Sequence, residues 1–267
     1  MKKIVLLTGN ELRHNYLIKY IASQPGINVL AAFSESSSGN IVELVNKEGK
    51  NSLRAEHLNA RSETEKDFFQ LYCEEQKNSI NIIDIHRGDI NNSDHVEYIV
   101  KLNPDLIVSY GCSIIKSDLL NVFKGRFVNI HLGLSPYYRG SGTNFWPFVE
   151  NKLSLIGTTF MHIDEGIDTG DIIHQIRAKV EYGDSIHSIG NRLIIDSVSM
   201  CVKIINNYSR LKKHPHPILD SGKLFKNKDF TEEAIKLAYD SLDIKIKNYI
   251  ENKSLLDQKF PIINAFE

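Results

Sequence analysis

Five short apolar runs rich in β-branched residues, separated by stretches of helical periodicity, constrain this chain more than any other feature. They are KIVLLT (3 to 8), INVLAAF (27 to 33), INIIDI (80 to 85), PDLIVSY (104 to 110) and RFVNIHL (126 to 132). Runs of this length and composition read as strands, and the patterns between them predict helices over Leu12 to Ala22, Thr64 to Lys77, Ser93 to Leu102 and Lys116 to Phe123. Strands alternating with helices imply an α/β fold: a Rossmann-like, mostly parallel sheet with helices on both faces. Ligands of such sheets gather at the carboxyl ends of the strands, so the loops that start at Thr8, Tyr110 and His131 are expected to be neighbours.

The 267 residues suit one domain of about 200 residues with an appendage. Between Ser34 and Lys77 the sequence turns polar and reads as a loop with amphipathic helices laid over the sheet. After Asp184, the residues Ile186, Ile189, Leu193, Met200, Cys201, Ile204 and Ile205 recur at helical spacing and predict one long helix. The breaker KKHPHPILDSG (212 to 222) leads to a short, mainly helical C-terminal extension, with helices near Thr231 to Tyr239 and Leu242 to Glu251. Thirty-two basic against 33 acidic side chains leave a net charge of −1, so no global field recruits nucleic acid or a membrane surface. Cys73, Cys112 and Cys201 are far apart, which suits buried thiols in a reducing, cytoplasmic setting. The apolar run at the N-terminus is too short for a signal peptide and reads as a first strand.

The run VNIHLGLSPYYRG (128 to 140) starts as a buried strand and then breaks. Alternation places Phe127, Asn129 and His131 on one side and Val128, Ile130 and Leu132 on the other, so two polar side chains project together where the strand ends. Gly133 and Pro136 then stop regular pairing and leave those tips open to a ligand. Taken alone, an Asn and a His at a strand end are each satisfied by backbone groups as readily as by a substrate. Downstream, IGTTFMHIDEGIDTGDIIHQ (156 to 175) predicts a hairpin of strands Ile156 to Ile163 and Ile172 to Arg177 with an acidic, glycine-punctuated tip. Asp168 in that tip could orient an imidazole and stabilise its protonated form.

Together these pieces resemble the folate-dependent formyltransferases, a family that includes glycinamide ribonucleotide, methionyl-tRNA and nucleotide-sugar N-formyltransferases. The resemblance rests on N-I-H at 129 to 131, P-Y-Y-R-G at 136 to 140, G-T-T at 157 to 159 and G-I-D-T-G-D at 166 to 171. It covers about residues 1–210 as a catalytic domain and leaves 211–267 as the extension. It implies Asn129, His131 and Asp168 as the catalytic trio and N10-formyltetrahydrofolate as the formyl donor, with no metal. It implies a pterin site at Tyr110, Gly111 and Ile114, closed by the loop that holds Asp164, Gly166 and Asp168. Gly133-Leu134-Ser135 departs from the Ser-Leu-Leu usual before that proline, a change beside the site that bears on the acceptor.

The acceptor is read from the first loop and the tail. TGNELRHNY (8 to 16) leads into a helix N-terminus, where Asn10 and Arg13 could meet a phosphate or sugar diphosphate, or Arg13 could be a surface charge. Balanced charge and a short tail disfavour a tRNA acceptor, and Gly9-Asn10-Glu11 departs from the Gly-Ser-Asn loop usual for glycinamide ribonucleotide. A nucleotide-linked amino sugar for surface polysaccharide synthesis remains. Tyr137, Tyr138 and Trp146 stack on it or pack in the core, and Arg139 braces the turn or meets a carboxylate. Lys223, Lys226 and Lys228 are further candidates, and a homodimer through the C-terminal segment is an expectation. The rivals are a formyl-folate hydrolase, formylation of another amine, a nucleotide-sugar binding module without turnover, and a metal-dependent hydrolase built on His131, His162, Asp164 and Asp168.

Overall fold

A computed structural model describes residues 1–36, 45, 52–77, 79–217 and 222–266 of the chain. Most of the polar loop read from the sequence after Ser34 lies outside the described residues, as do 218–221 of the breaker. The central sheet has seven strands in the order β3-β2-β1-β4-β5-β7-β8. These are β1 (Lys2–Gly9), β2 (Ile27–Glu35), β3 (Ile82–Ile85), β4 (Leu106–Tyr110), β5 (Phe127–His131), β7 (Gly157–Met161) and β8 (Ile172–Arg177). The first five run parallel; β7 pairs antiparallel with β5, and β8 antiparallel with β7, so β7 alone opposes the others. The order reverses around β1 and β4, which opens a crevice at their carboxyl ends.

Alternation along the parallel strands sends successive side chains into two cores. Ile4, Leu6, Val128 and Ile130 pack with Leu17 of α1 (Leu12–Ala22) and with Val198 and Cys201 of the long helix. Val5, Leu7, Ile107 and Phe127 pack on the opposite face with Ile99 of α4 (Ser93–Leu102) and Leu119 of α5 (Ser117–Val122). Both faces of the strands are thus dry, which is why the runs are continuously apolar rather than alternating. α4 ends where Asn103 turns left-handed at φ 46°, a position that Asn tolerates better than most residues.

The predicted helix at 64–77 starts earlier than its apolar pattern showed. Ser52 caps the Ala55 N–H at 3.1 Å and launches α2 (Leu53–Glu65), which continues through a π-helical turn (Lys66–Gln70) into α3 (Leu71–Glu75). Only Ala55, His57, Leu58 and Glu65 of α2 are buried, too few apolar positions to signal a helix from pattern alone. The long helix α7 (Ile186–Asn207) begins with a reciprocal Ser185–Ser188 cap.

The C-terminal extension closes over the turn that follows β5. α8 (Glu232–Tyr239) and α9 (Leu242–Glu251) place Ala234, Ile235, Ala238, Ile246 and Tyr249 in a third core with Leu134, Tyr138, Phe148, Ile156 and Leu193. A small parallel ribbon of β6 (Tyr138–Gly140) and β9 (Lys223–Phe225) joins the extension to the turn. α6 (Trp146–Val149) lies between them, and α10 (Lys253–Gln258) leads into a tail whose Ile263 O accepts from Gln175 N at 2.7 Å. That tail covers the outer edge of β8, which would otherwise offer unpaired backbone groups. Among the described residues no helix is long and apolar enough to cross a membrane.

Candidate active site

Asn129 and His131 project from the end of β5 as alternation requires, and the hairpin loop brings Asp168 to them. His131 is 6% exposed; its Nδ1 lies 3.4 Å from Asp168 Oδ1. Its Nε2 is 3.0 Å from the Tyr138 carbonyl oxygen. A carbonyl only accepts, so Nε2 carries a proton, and Nδ1 is the ring nitrogen that faces Asp168 and the site. Asp168 sits at φ 51°, and its Oδ2 accepts from the Gly140 N–H at 2.8 Å. The loop is shaped internally: Asp164 Oδ1 accepts from Gly166 N at 3.0 Å and Thr169 Oγ1 at 2.7 Å.

The Asn129 amide is oriented from the next strand. Ser109 on β4 donates to Asn129 Oδ1 at 2.9 Å, which commits the oxygen and leaves Nδ2 as the group the site can use. The parallel register sets Ser109 directly beside Asn129. Asn129 borders two cavities of about 450 and 460 Å³. The first also holds Asn10, Arg13, His131 and residues of α2, α7 and the extension. The second lies between the 109–115 segment and the 161–170 hairpin loop, and includes Gly111, Ile114, Asp164 and Gly166. Asp168 and Gly111 border both. Tyr110 lines the first cavity, and its buried hydroxyl has no partner among the described residues. Gly111 has φ +70°, and a Cβ there would lie 2.4 Å from His14 Nε2, so only glycine fits.

The first loop is already electrostatically occupied. Glu11 and His14 form a capping box at the start of α1, with the Glu11 carboxylate 2.7 Å from His14 Nδ1. Burial alone would raise the Glu11 carboxyl, but the His14 hydrogen bond and the Arg13 charge hold it far below the usual range. Burial, then Arg13, pushes the His14 imidazole down. Arg13 is not a solvated charge: it is paired to Glu65 at 2.5 Å and Glu11 at 3.4 Å. Asn10 is exposed on the cavity wall.

The aromatic residues after the turn separate. Tyr138 is buried among core side chains and its hydroxyl donates to Glu150 at 3.0 Å; what it presents to the trio is its carbonyl. Arg139 lies in the ribbon opposite Leu224 and does not border either cavity. Tyr137 packs edge-on against Phe260. Trp146 does line the first cavity, stacked on Phe225 at 4.2 Å and 10°. Lys226 is at that cavity, whereas Lys223 pairs with Glu150. His162 is 3.3 Å from the Tyr208 hydroxyl, and burial holds its imidazole near 4. Among the described residues no group of three or more His, Cys, Asp or Glu is placed to hold a metal ion.

Several cavity residues escaped the sequence reading: His57, Glu65, Phe145, His187 and Phe230. They are isolated polar or aromatic positions spread over α2, α7, the turn before α6 and the extension, and no local pattern joins them. Glu35 was also missed. It is 2% exposed at the end of β2 and accepts from Gly88 N (3.0 Å), Ser113 N (2.6 Å) and Ser113 Oγ (2.6 Å), tying two site loops together.

A fixed amide donor, an imidazole and a carboxylate lie together where two cavities meet at the carboxyl end of an α/β sheet, an arrangement able to donate to a developing oxyanion and to move a proton. Comparison with known proteins gives the family. The model described as formyl transferase matches residues 2–205, and the chain belongs to the formyl transferase family. The family takes its one-carbon unit from formyl-tetrahydrofolate. A methionyl-tRNA formyltransferase from Clostridium tetani is 32% identical over 113 residues, 42% of this chain and 36% of that protein. The match thus spans little over a third of that relative. The structure of phosphoribosylglycinamide formyltransferase from Streptococcus pneumoniae superposes with TM-score 0.54 at 20% identity, over 78% of this chain and 99% of that one. A formyltransferase from Anoxybacillus kamchatkensis, in complex with UDP-4,6-dideoxy-4-formamido-L-AltNAc and tetrahydrofolate, gives 0.51 at 21% identity, over 91% and 96%. At such identities the likeness shows the fold, and these proteins differ in acceptor.

Proposed function

We propose that this chain transfers the formyl group of N10-formyltetrahydrofolate to the primary amine of a nucleotide-linked amino sugar. The observation that carries this reading is that Asn129 and Asp168 border both cavities, with His131 beside Asp168 on the wall of the first. The cavity beside Ile114, Asp164 and Gly166 takes the folate, and the one lined by Trp146 and Lys226 takes the acceptor. The acceptor amine attacks the formyl carbon between them. Asn129 Nδ2, held by Ser109, donates to the oxyanion as it forms. His131 Nδ1 takes the proton that the attacking ammonium must lose, and the Asp168 carboxylate stabilises the resulting imidazolium. The same proton then serves the departing folate nitrogen, so the trio ends as it began.

Three features support the acceptor. Arg13 is already balanced by two carboxylates, so the first loop offers little to a lone phosphate. Phe145, Trp146 and Phe230 line that cavity together with the uncharged Asn144 and Asn191. The C-terminal extension supplies part of that wall. The test is a panel of dTDP-, UDP- and GDP-linked amino sugars with N10-formyltetrahydrofolate, read by mass spectrometry for the gain of one formyl group. Glycinamide ribonucleotide, methionyl-tRNA and a no-amine control run in parallel. Formylation of a sugar supports the reading, and turnover confined to a comparator or to water overturns it.

A further inference from the structure

Two histidines of the first cavity take no part in that chemistry. His57 of α2 and His187 of α7 are each 8% exposed, with ring centroids 4.6 Å apart, and both line the cavity. Tyr239, the last residue of α8, reaches between them. Its hydroxyl is 3.0 Å from His57 Nδ1 and 3.1 Å from His187 Nε2.

A phenol has one proton to give. It donates to one ring and accepts an N–H from the other. The ring that accepts keeps its own proton on the far nitrogen, whereas the ring that donates leaves its far nitrogen bare. His57 Nε2 and His187 Nδ1 therefore differ whichever way the hydroxyl turns: one is a donor and the other an acceptor. Neither has a hydrogen-bond partner among the described residues. Burial, with the neighbouring ring and Arg61 adding to it, holds His57 near 3. Burial and Arg61 hold His187 near 4, so the pair is uncharged at neutral pH. Phe145 and Phe230 meet the His57 ring edge-on at 5.2 and 5.4 Å and make the adjoining wall apolar.

We propose that His57 and His187, whose far nitrogens Tyr239 sets as one donor and one acceptor, read an uncharged donor–acceptor edge of the amine acceptor against the wall of Phe145 and Phe230. That chemistry belongs to a nucleobase or to neighbouring hydroxyls of a hexose, and not to a phosphate. The inference rests on the acceptor reading above and makes the extension, through Tyr239, a determinant of specificity.

Two-bond proton–nitrogen correlation on the full chain labelled with 15N-histidine at pH 7.5 tests the pair without any turnover. The expected result is the same neutral tautomer in both rings, either Nε2–H in each or Nδ1–H in each, because the phenol meets Nδ1 of one ring and Nε2 of the other. One ring protonated at Nδ1 with the other at Nε2, or a charged ring, overturns the proposal. Titration with UDP alone, an amino-sugar 1-phosphate and the intact UDP-linked amino sugar then separates the sources. Shifts with UDP alone assign the edge to the base, and shifts only with the two sugar compounds assign it to the hexose. If a panel sugar is formylated while neither ring responds to it, the inference fails and the formyl transfer reading stands. If the rings respond while no sugar is formylated, the acceptor reading fails and the binding pair survives. In kinetics with the formylated sugar, Tyr239→Phe is expected to raise the acceptor KM about tenfold, with kcat and the donor KM little changed. Equal losses in all three, with a lowered Tm, would assign Tyr239 a structural role and overturn the proposal.

Discussion

Asn129 can act as a donor because Ser109 holds its oxygen, so the two residues work as one oriented dipole. On the proposed reading, removing the amide takes away the oxyanion donor, and Asn129→Ala should lower kcat by about 10²- to 10³-fold with the acceptor KM nearly unchanged. Stopped-flow or steady-state rates check this, and a variant that keeps its kcat would show that Asn129 does not face the reacting carbonyl. Asp168→Asn is a milder change, since Asn tolerates the left-handed backbone at φ 51°. It can still accept from Gly140, but it no longer stabilises a charged His131. A fall in kcat with an unchanged Tm is the expected outcome. The sequence shows Asn129 and His131 on one face because strand alternation is strictly local. It does not show Ser109 or the Tyr138 carbonyl as their partners. Those contacts depend on the pairing of β4 with β5 and on how the turn after β5 folds back, which are three-dimensional facts.

At the scale of elements, legibility follows the length of the apolar pattern. Strands of the main sheet and the amphipathic helices α4, α7, α8 and α9 can be read because burial repeats over several turns or alternations. β6 and β9, three residues each, are too short for any pattern, yet their ribbon positions Gly140 under Asp168. Gly140 has φ +89°, and a Cβ there would lie 2.2 Å from the Phe225 carbonyl oxygen. Gly140→Ala therefore strains the backbone and pushes β9 away from the turn, at a cost of about 1–3 kcal/mol. The N–H that holds Asp168 moves with it. Chemical denaturation and kcat should fall together in this variant, unlike in Asp168→Asn; stability equal to the parent protein would mean the ribbon yields freely. On the opposite side of the trio, Ile114 is 68% exposed at the second cavity. Ile114→Asp should raise the KM for the formyl donor much more than that for the acceptor, and the reverse order would exchange the two cavities.

Across the whole molecule, the third core joins the turn after β5 to the C-terminal helices, and the cavity wall inherits that dependence. His57, His187 and Tyr239 come from three distant parts of the chain, so no local signal could announce them, and their burial has a thermodynamic consequence. A histidine kept neutral in the fold near pKa 3 or 4 titrates near 6.5 once unfolded. The unfolded chain then binds more protons, so stability is full above about pH 6.5 and falls as the pH drops toward the folded values. Between pH 7 and 5 each such histidine removes roughly 1–2 kcal/mol of stability. His14 and His162 are pushed the same way and steepen the slope. Glu11 acts in a lower window: its carboxyl is depressed in the fold, so its contribution is lost only as the pH falls below the unfolded value of about 4.3. Replacing His57 by Gln keeps a polar group of similar reach but removes one titration. Urea unfolding of His57→Gln at pH 7 and at pH 5 should show a smaller loss between the two than the parent protein, by roughly 1–2 kcal/mol. Equal losses would mean that His57 is charged in the fold at pH 5, and the uncharged pair with Tyr239 could not then exist at that pH.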